Sequence, residues 1–96
     1  MKESTIEAAL VKSVQAAGGL CWKWPATARA GVPDRIVILG GRVVFVELKR
    51  PGGKVRPIQA EVHRRMKAAG ADVRVVDSIE SARSFVHEFT HTGGTP

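Results

Sequence analysis

The chain has no tyrosine and a single cysteine, Cys21, among its 96 residues. One thiol excludes an internal disulfide and fits a reducing compartment. His63, His87 and His91 form no ligand spacing with Cys21, which argues against a zinc site or a histidine-metal nuclease. No glycine-rich phosphate loop for a nucleotide is present. No apolar run is long enough to span a bilayer, and Lys2 is followed at once by Glu3 and Ser4, unlike a secretory signal. These absences describe a soluble intracellular protein. Acidic side chains are also scarce, 9 against 15 lysines and arginines, for a net charge of +6. Such an excess favours a polyanionic partner, either nucleic acid or an anionic membrane surface. Charge alone does not decide the matter, because many soluble proteins are basic for no specific reason.

What is present is an ordinary apolar fraction, 44%, in a length that allows one small core and one domain. Ile6, Leu10, Val14 and Ala17 recur at helical spacing, which predicts a helix from Ser4 to Ala17 closed by Gly18-Gly19. A short strand follows from Leu20 to Trp24, and then a loop from Pro25 to Pro33. Asp34 to Leu39 and Arg42 to Lys49 read as strands joined by a two-residue Gly40-Gly41 turn. Both are apolar on both faces and belong in the middle of a covered sheet. A basic loop, Pro51 to Arg56, leads to Pro57 at the first position of a helix that runs to Ala69 and is capped by Gly70. Asp72 to Val76 is a strand. Ser78 is placed to cap a last helix that runs to Phe89, and the tail from His91 to Pro96 is expected to fray. The order α-β-β-β-α-β-α makes the third and fourth strands parallel across a crossover helix, with helices on both faces of a mixed sheet.

The hairpin carries the chemistry. If Gly40-Gly41 is the whole turn, 39 pairs with 42, 36 with 45, and Asp34 stands opposite Glu47. Opposed side chains share a face with Cβ atoms roughly 4.5–5.5 Å apart. Two carboxylates so placed repel. Either one holds a proton, or a divalent cation sits between them, for which oxygen ligands favour Mg²⁺ or Mn²⁺. In the bland alternative, the strands end here and both groups point into water. Lys49, two residues beyond Glu47, emerges on the same face roughly 6.5–7 Å along the strand. From there it can contact a scissile phosphate and stabilise a hydroxide nucleophile. Glu7 shares a helical stripe with Leu10, Val11 and Val14. Its spacing leaves two roles open: a site carboxylate, or the distal half of a capping box with Ser4 as N-cap.

Gly31-Val32-Pro33-Asp34, then Val46-Glu47-Leu48-Lys49, then Gln59 in the next helix and Glu7 in the first, resemble the PD-(D/E)XK nuclease superfamily. Within it they resemble the VRR-NUC (virus-type replication-repair nuclease) family, over most of the chain from Ile6 to Val76. The resemblance implies an α/β, restriction-endonuclease-like αβββαβ core with an extra C-terminal helix. It implies that Asp34 and Glu47 bind Mg²⁺ or Mn²⁺ with the Leu48 carbonyl and with Glu7 through water. It gives Lys49 the positioning of the attacking water, and Gln59 a supporting role whose bland alternative is an ordinary polar helix residue. It also implies a stand-alone DNA endonuclease acting on branched DNA such as four-way (Holliday) junctions, in the cytoplasm of a bacterium or a phage-infected cell. Its lack of further DNA-binding domains prompts the expectation of a homodimer.

Arg29, Arg50, Lys54 and Arg56 lie on loops beside the proposed site and suit phosphate contacts, and Gly52-Gly53 should leave the basic loop mobile. Arg64, Arg65 and Lys67 lie on the second helix, where phosphate binding and a solvated face are equally open. Trp22 and Trp24 share one face of the first strand, either as core or as stacking platforms for unpaired bases. Two other classes compete: a non-catalytic nucleic-acid-binding module on the same fold, and a small structural protein whose charge serves solubility.

Overall fold

In the computed structural model, residues 1–25 and 29–92 are described, without the side chains of 91 and 92. The loop expected from Pro25 to Pro33 therefore lies partly outside the described residues, as does the tail beyond residue 92.

The elements are α1 (Glu3–Ala16), β1 (Leu20–Lys23), β2 (Arg35–Leu39), β3 (Arg42–Leu48), α2 (Pro57–Ala68), β4 (Asp72–Val76) and α3 (Ile79–Thr92). Their order is the one the hydrophobic periodicity predicts. The four strands form one sheet in the order β1-β2-β3-β4. β1–β2 and β2–β3 are antiparallel, and β3–β4 is parallel. A parallel neighbour needs a crossover, and α2 supplies it. Ser78 caps α3 as expected: its Oγ accepts the Ser81 N–H at 2.9 Å, and the Ser81 Oγ accepts the Ser78 N–H at 3.1 Å.

α1 departs from expectation. It begins at Glu3, and Lys2 occupies the N-cap position with no side-chain cap. The Lys2 carbonyl takes the Thr5 and Ile6 N–H groups. Ser4 thus lies inside the first turn, and the capping box expected of Ser4 and Glu7 is not formed. α3 continues to Thr92, three residues past its expected end at Phe89.

Alternation along the strands sorts the sheet into two faces. Val37, Leu39, Val44, Val46 and Leu48 point one way and are buried against Ile6, Leu10 and Val14 of α1 and Phe85 and Phe89 of α3. The opposite face carries Glu47, and among the described residues α2 is the helix that packs on it. Leu20, Trp22, Ile38 and Val43 of that face remain exposed, Trp22 to 58%. The covering of both faces expected from the apolar strands is therefore complete on one side and partial on the other. Trp22 is not core. Trp24 is half-buried, its ring 5.1 Å from that of Phe45.

Gly40 and Gly41 have φ of 61° and 76°, which is the two-residue type I′ hairpin that matches strand twist. A Cβ on Gly40 would collide with the Phe89 carbonyl, whereas one on Gly41 meets nothing within 4 Å. Gly40→Ala is expected to cost more than 2 kcal/mol, since a backbone collision adds to the left-handed strain, while Gly41→Ala should cost only about 1–2 kcal/mol. Chemical denaturation of the two variants measures the gap; equal costs would mean that α3 does not press on the turn.

Candidate active site

Strand pairing builds the site. Leu39 pairs with Arg42, Ile36 with Phe45 and Arg35 with Val46, so the next position outward sets Asp34 opposite Glu47. Asp34 is pinned by its own backbone and side chain. Its carbonyl accepts the Trp24 N–H at 2.9 Å, and its Oδ2 accepts the Leu48 N–H at 2.8 Å. The second bond crosses to the strand that carries Glu47, so the spacing of the two carboxylates is held by the ladder itself.

Glu47 is 2% exposed, which is rare for a carboxylate and demands partners. Its Oε2 accepts the Gln59 Nε2–H at 3.0 Å and lies 3.4 Å from the Lys49 ammonium. The Gln59 amide works at both ends: its Oε1 accepts from Lys49 Nζ at 2.9 Å and from the Arg56 N–H at 2.9 Å. The bond to Arg56 closes the first turn of α2 in the manner of half a capping box; the arginine side chain has no acceptor to supply the other half. Gln59 therefore joins α2 to the carboxylate and to the lysine, and its buried position removes the reading of an ordinary polar helix residue.

Burial and then the repulsion of Asp34, against the attraction of Lys49, raise the Glu47 pKa from 4.5 to about 7. The other oxygen, Oε1, is buried with no hydrogen-bond partner. A carboxylate oxygen left bare beside a second carboxylate is a fit for a hard divalent cation. Among the described residues, no three histidine, cysteine, aspartate or glutamate side chains are grouped to hold one. Such a cation would rest on two carboxylates and take its other ligands from backbone and exchangeable oxygens, which is the usual habit of Mg²⁺.

Glu7 does not join this group. Its Oε2 accepts from Arg35 Nε at 2.9 Å, and Arg35 also donates to the Cys21 carbonyl at 3.2 Å. Arg35 shares the parity of Val37, so it points to the α1 side of the sheet while Asp34 points away from it. The charge on the apolar stripe of α1 is thus matched by the arginine that follows Asp34, a partner not foreseen because it alternates with the site residue. His63 was missed as well. It lies four residues after Gln59, hence on the same helical face, and is 5% exposed. Its Nε2 sits 3.7 Å from Glu47 Oε1. Desolvation, and then the nearby Lys67 and Lys49, lower its pKa.

Arg29, Arg50, Lys54 and Arg56 are all exposed. Arg29 and Arg56 line an open groove of about 240 Å³ whose floor includes Trp24, Asp34 and Gln59. On α2, Arg64 is taken up by Glu61 at 2.6 Å, which favours a solvated face there.

No family model matches the chain. It is 44% identical over 79 residues to "Putative nuclease p44" of Acyrthosiphon pisum secondary endosymbiont phage 1, a match that spans 81% of this chain and 85% of that protein. Among solved structures it resembles one described as a "VRR_NUC domain", with a TM-score of 0.80 and 33% identity over 88% of this chain and 94% of the other.

The raised Glu47 pKa fixes a sign. Between pH 4.5 and about 7 the native carboxyl keeps a proton that the unfolded chain has lost, so stability falls as pH rises through that window. At about 1.4 kcal/mol per unit the loss reaches at most roughly 3 kcal/mol. Thermal unfolding of metal-free protein from pH 5 to 8 should show the decline, and Glu47→Gln should flatten it. His63, with its lowered pKa, contributes a slope of the opposite sign, so the two proteins are compared: a decline no steeper in the parent than in Glu47→Gln would contradict the assignment.

Proposed function

The chain belongs to the VRR-NUC family of PD-(D/E)XK nucleases, and from that premise we propose that it hydrolyses DNA phosphodiester bonds as a divalent-metal-dependent endonuclease. One observation carries the proposal: a buried glutamate, tied at one oxygen and bare at the other, stands opposite an aspartate that lines a groove with Arg29 and Arg56. Mg²⁺ or Mn²⁺ is the cation that this donor set favours, held by Asp34, Glu47 and the Leu48 carbonyl. When bound, it would withdraw charge from the phosphate and make water acidic enough to attack. Glu7, engaged with Arg35 on the other side of the sheet, is left out of the ligand set.

The protein's own groups do the rest. Lys49 Nζ, oriented by Gln59 Oε1 and Glu47 Oε2, places a fixed positive charge where the attacking oxygen and the phosphate become more negative. Gln59 is suited to this because a neutral amide donates to the carboxylate while accepting from the ammonium. Arg29 and Arg56 hold phosphates along the groove, and Arg50 and Lys54 extend that contact over the loop, where Gly52 takes a φ of 77°.

Branched DNA such as a four-way junction is the proposed substrate, and a homodimer the working form. The uncovered sheet face supports the second point. Leu20, Trp22, Ile38 and Val43 leave an apolar surface of the kind that a second copy would cover, and two sites would then address two strands.

Incubation with linear, single-stranded and four-way-junction DNA under Mg²⁺, Mn²⁺ or EDTA tests this. Metal-dependent cutting is expected, reduced about 100-fold or more by Lys49→Ala and by Asp34→Ala, the size seen when one preorganised charge-stabilising group is lost. Binding without cutting under every metal would support a non-catalytic module instead, and cutting that survives Lys49→Ala would remove the lysine from the chemistry. Affinity should fall with salt at a log–log slope of about −3 to −4 if all four loop cations bind phosphate. Sedimentation that finds only monomer, with and without DNA, would overturn the dimer.

A further inference from the structure

Two buried side-chain atoms stand without a hydrogen-bond partner among the described residues, Glu47 Oε1 and His63 Nε2, and they face each other at 3.7 Å. The distance is beyond hydrogen-bonding reach. Both side chains are more than nine-tenths buried, so water does not make up the deficit cheaply. Glu47 Oε2 takes Gln59 and Lys49, and His63 lies close enough to the Gly31 backbone to interact with it.

We propose that His63 is a positioning residue of the nuclease site, acting through Glu47. A carboxylate tied at one oxygen can still turn about its last torsion, which is broad. The His63 ring fills the space on the α2 side of Oε1 and closes that rotation. Its Nε2 stands beyond hydrogen-bonding reach of Oε1. The oxygen is therefore left without a protein donor and stays available to a cation. The same ring also fixes the second carboxylate. Gly31, three residues before Asp34, has a φ of 85° and packs so closely on α2 that a Cβ there would stand 2.8 Å from the Ile58 carbonyl. With the loop seated on the helix beside His63, one imidazole lies between the approach to Asp34 and the face of Glu47.

The proposal rests on the metal-dependent reading of the site, and the test separates the two. Mn²⁺ alone is the probe, and binding is followed by electron paramagnetic resonance on the full chain. His63→Asn keeps a polar side chain but is too short to fill the space beside Oε1; in His63→Phe the ring volume stays and both nitrogens go. Both variants are expected to bind Mn²⁺ about 10–100-fold more weakly than the parent, the usual effect of removing a group that orients a ligand. Parent-like affinity in both variants overturns the role of His63 and leaves the nuclease reading intact. A parent chain that binds no Mn²⁺ overturns both. If the variants do not fold, the parent alone still decides: a directly bonded ¹⁴N coupling in the Mn²⁺ spin-echo spectrum would make His63 a ligand and overturn the positioning role, whereas its absence, with Mn²⁺ bound, agrees with action through Glu47.

Discussion

The pairing of β2 with β3 governs everything at the functional end of the molecule. In a sheet the side-chain period is two, so a slip of one residue would turn Glu47 and Lys49 to the opposite face and bring Val46 and Leu48 out of the core. The Gly40-Gly41 turn prevents the slip by leaving room for one register only. At the far end of the same ladder, the Leu48 N–H bond to Asp34 Oδ2 performs a second check. The site is thus specified by the backbone before any metal or substrate arrives.

That specification forces an unfavourable step, the burial of a carboxylate next to another. The fold meets the cost with neutral and positive groups on one oxygen and none on the other. Gln59 is central because it satisfies an acid, a base and a backbone N–H together. A carboxylate in its place would add a third negative charge, and an aliphatic residue would orphan three partners at once. On the metal-dependent reading proposed above, the oxygen of Glu47 left without a partner is the one a cation would take.

The element order, the hairpin register and the parallel crossover were legible in the sequence because each rests on local information: helical spacing, a glycine pair at a fixed offset, a proline that starts a helix. Asp34, Glu47 and Lys49 followed from the register by counting. What escaped was set by contacts between elements distant in the chain. Arg35 belongs to the same strand as the site but points through the sheet to Glu7, and no local pattern announces that pairing. The N-cap of α1 lies at Lys2, two residues before the expected Ser4, enough to dissolve a capping box that depends on spacing alone. His63 looked unremarkable in the sequence because it forms no ligand spacing with other metal-binding residues, and its place one turn after Gln59 on the same helical face carries no signal of its own. The uncovered sheet face was illegible for another reason: strands that are apolar on both faces do not say whether a helix or another chain covers them.

The close contact between Gly40 and the Phe89 carbonyl has a consequence for the order in which the protein matures. α3 is not an appendage to a finished core. It supplies Phe89, wholly buried, as the floor under the hairpin, and Arg42 at the return of that hairpin lies 4.4 Å from the ring centre. A growing chain would therefore carry every residue of the candidate site, from Asp34 to His63, before it carried the helix that presses on their hairpin. Until α3 is made, the turn that sets the register would lack the surface it rests on, and the paired strands would be held by their own ladder alone.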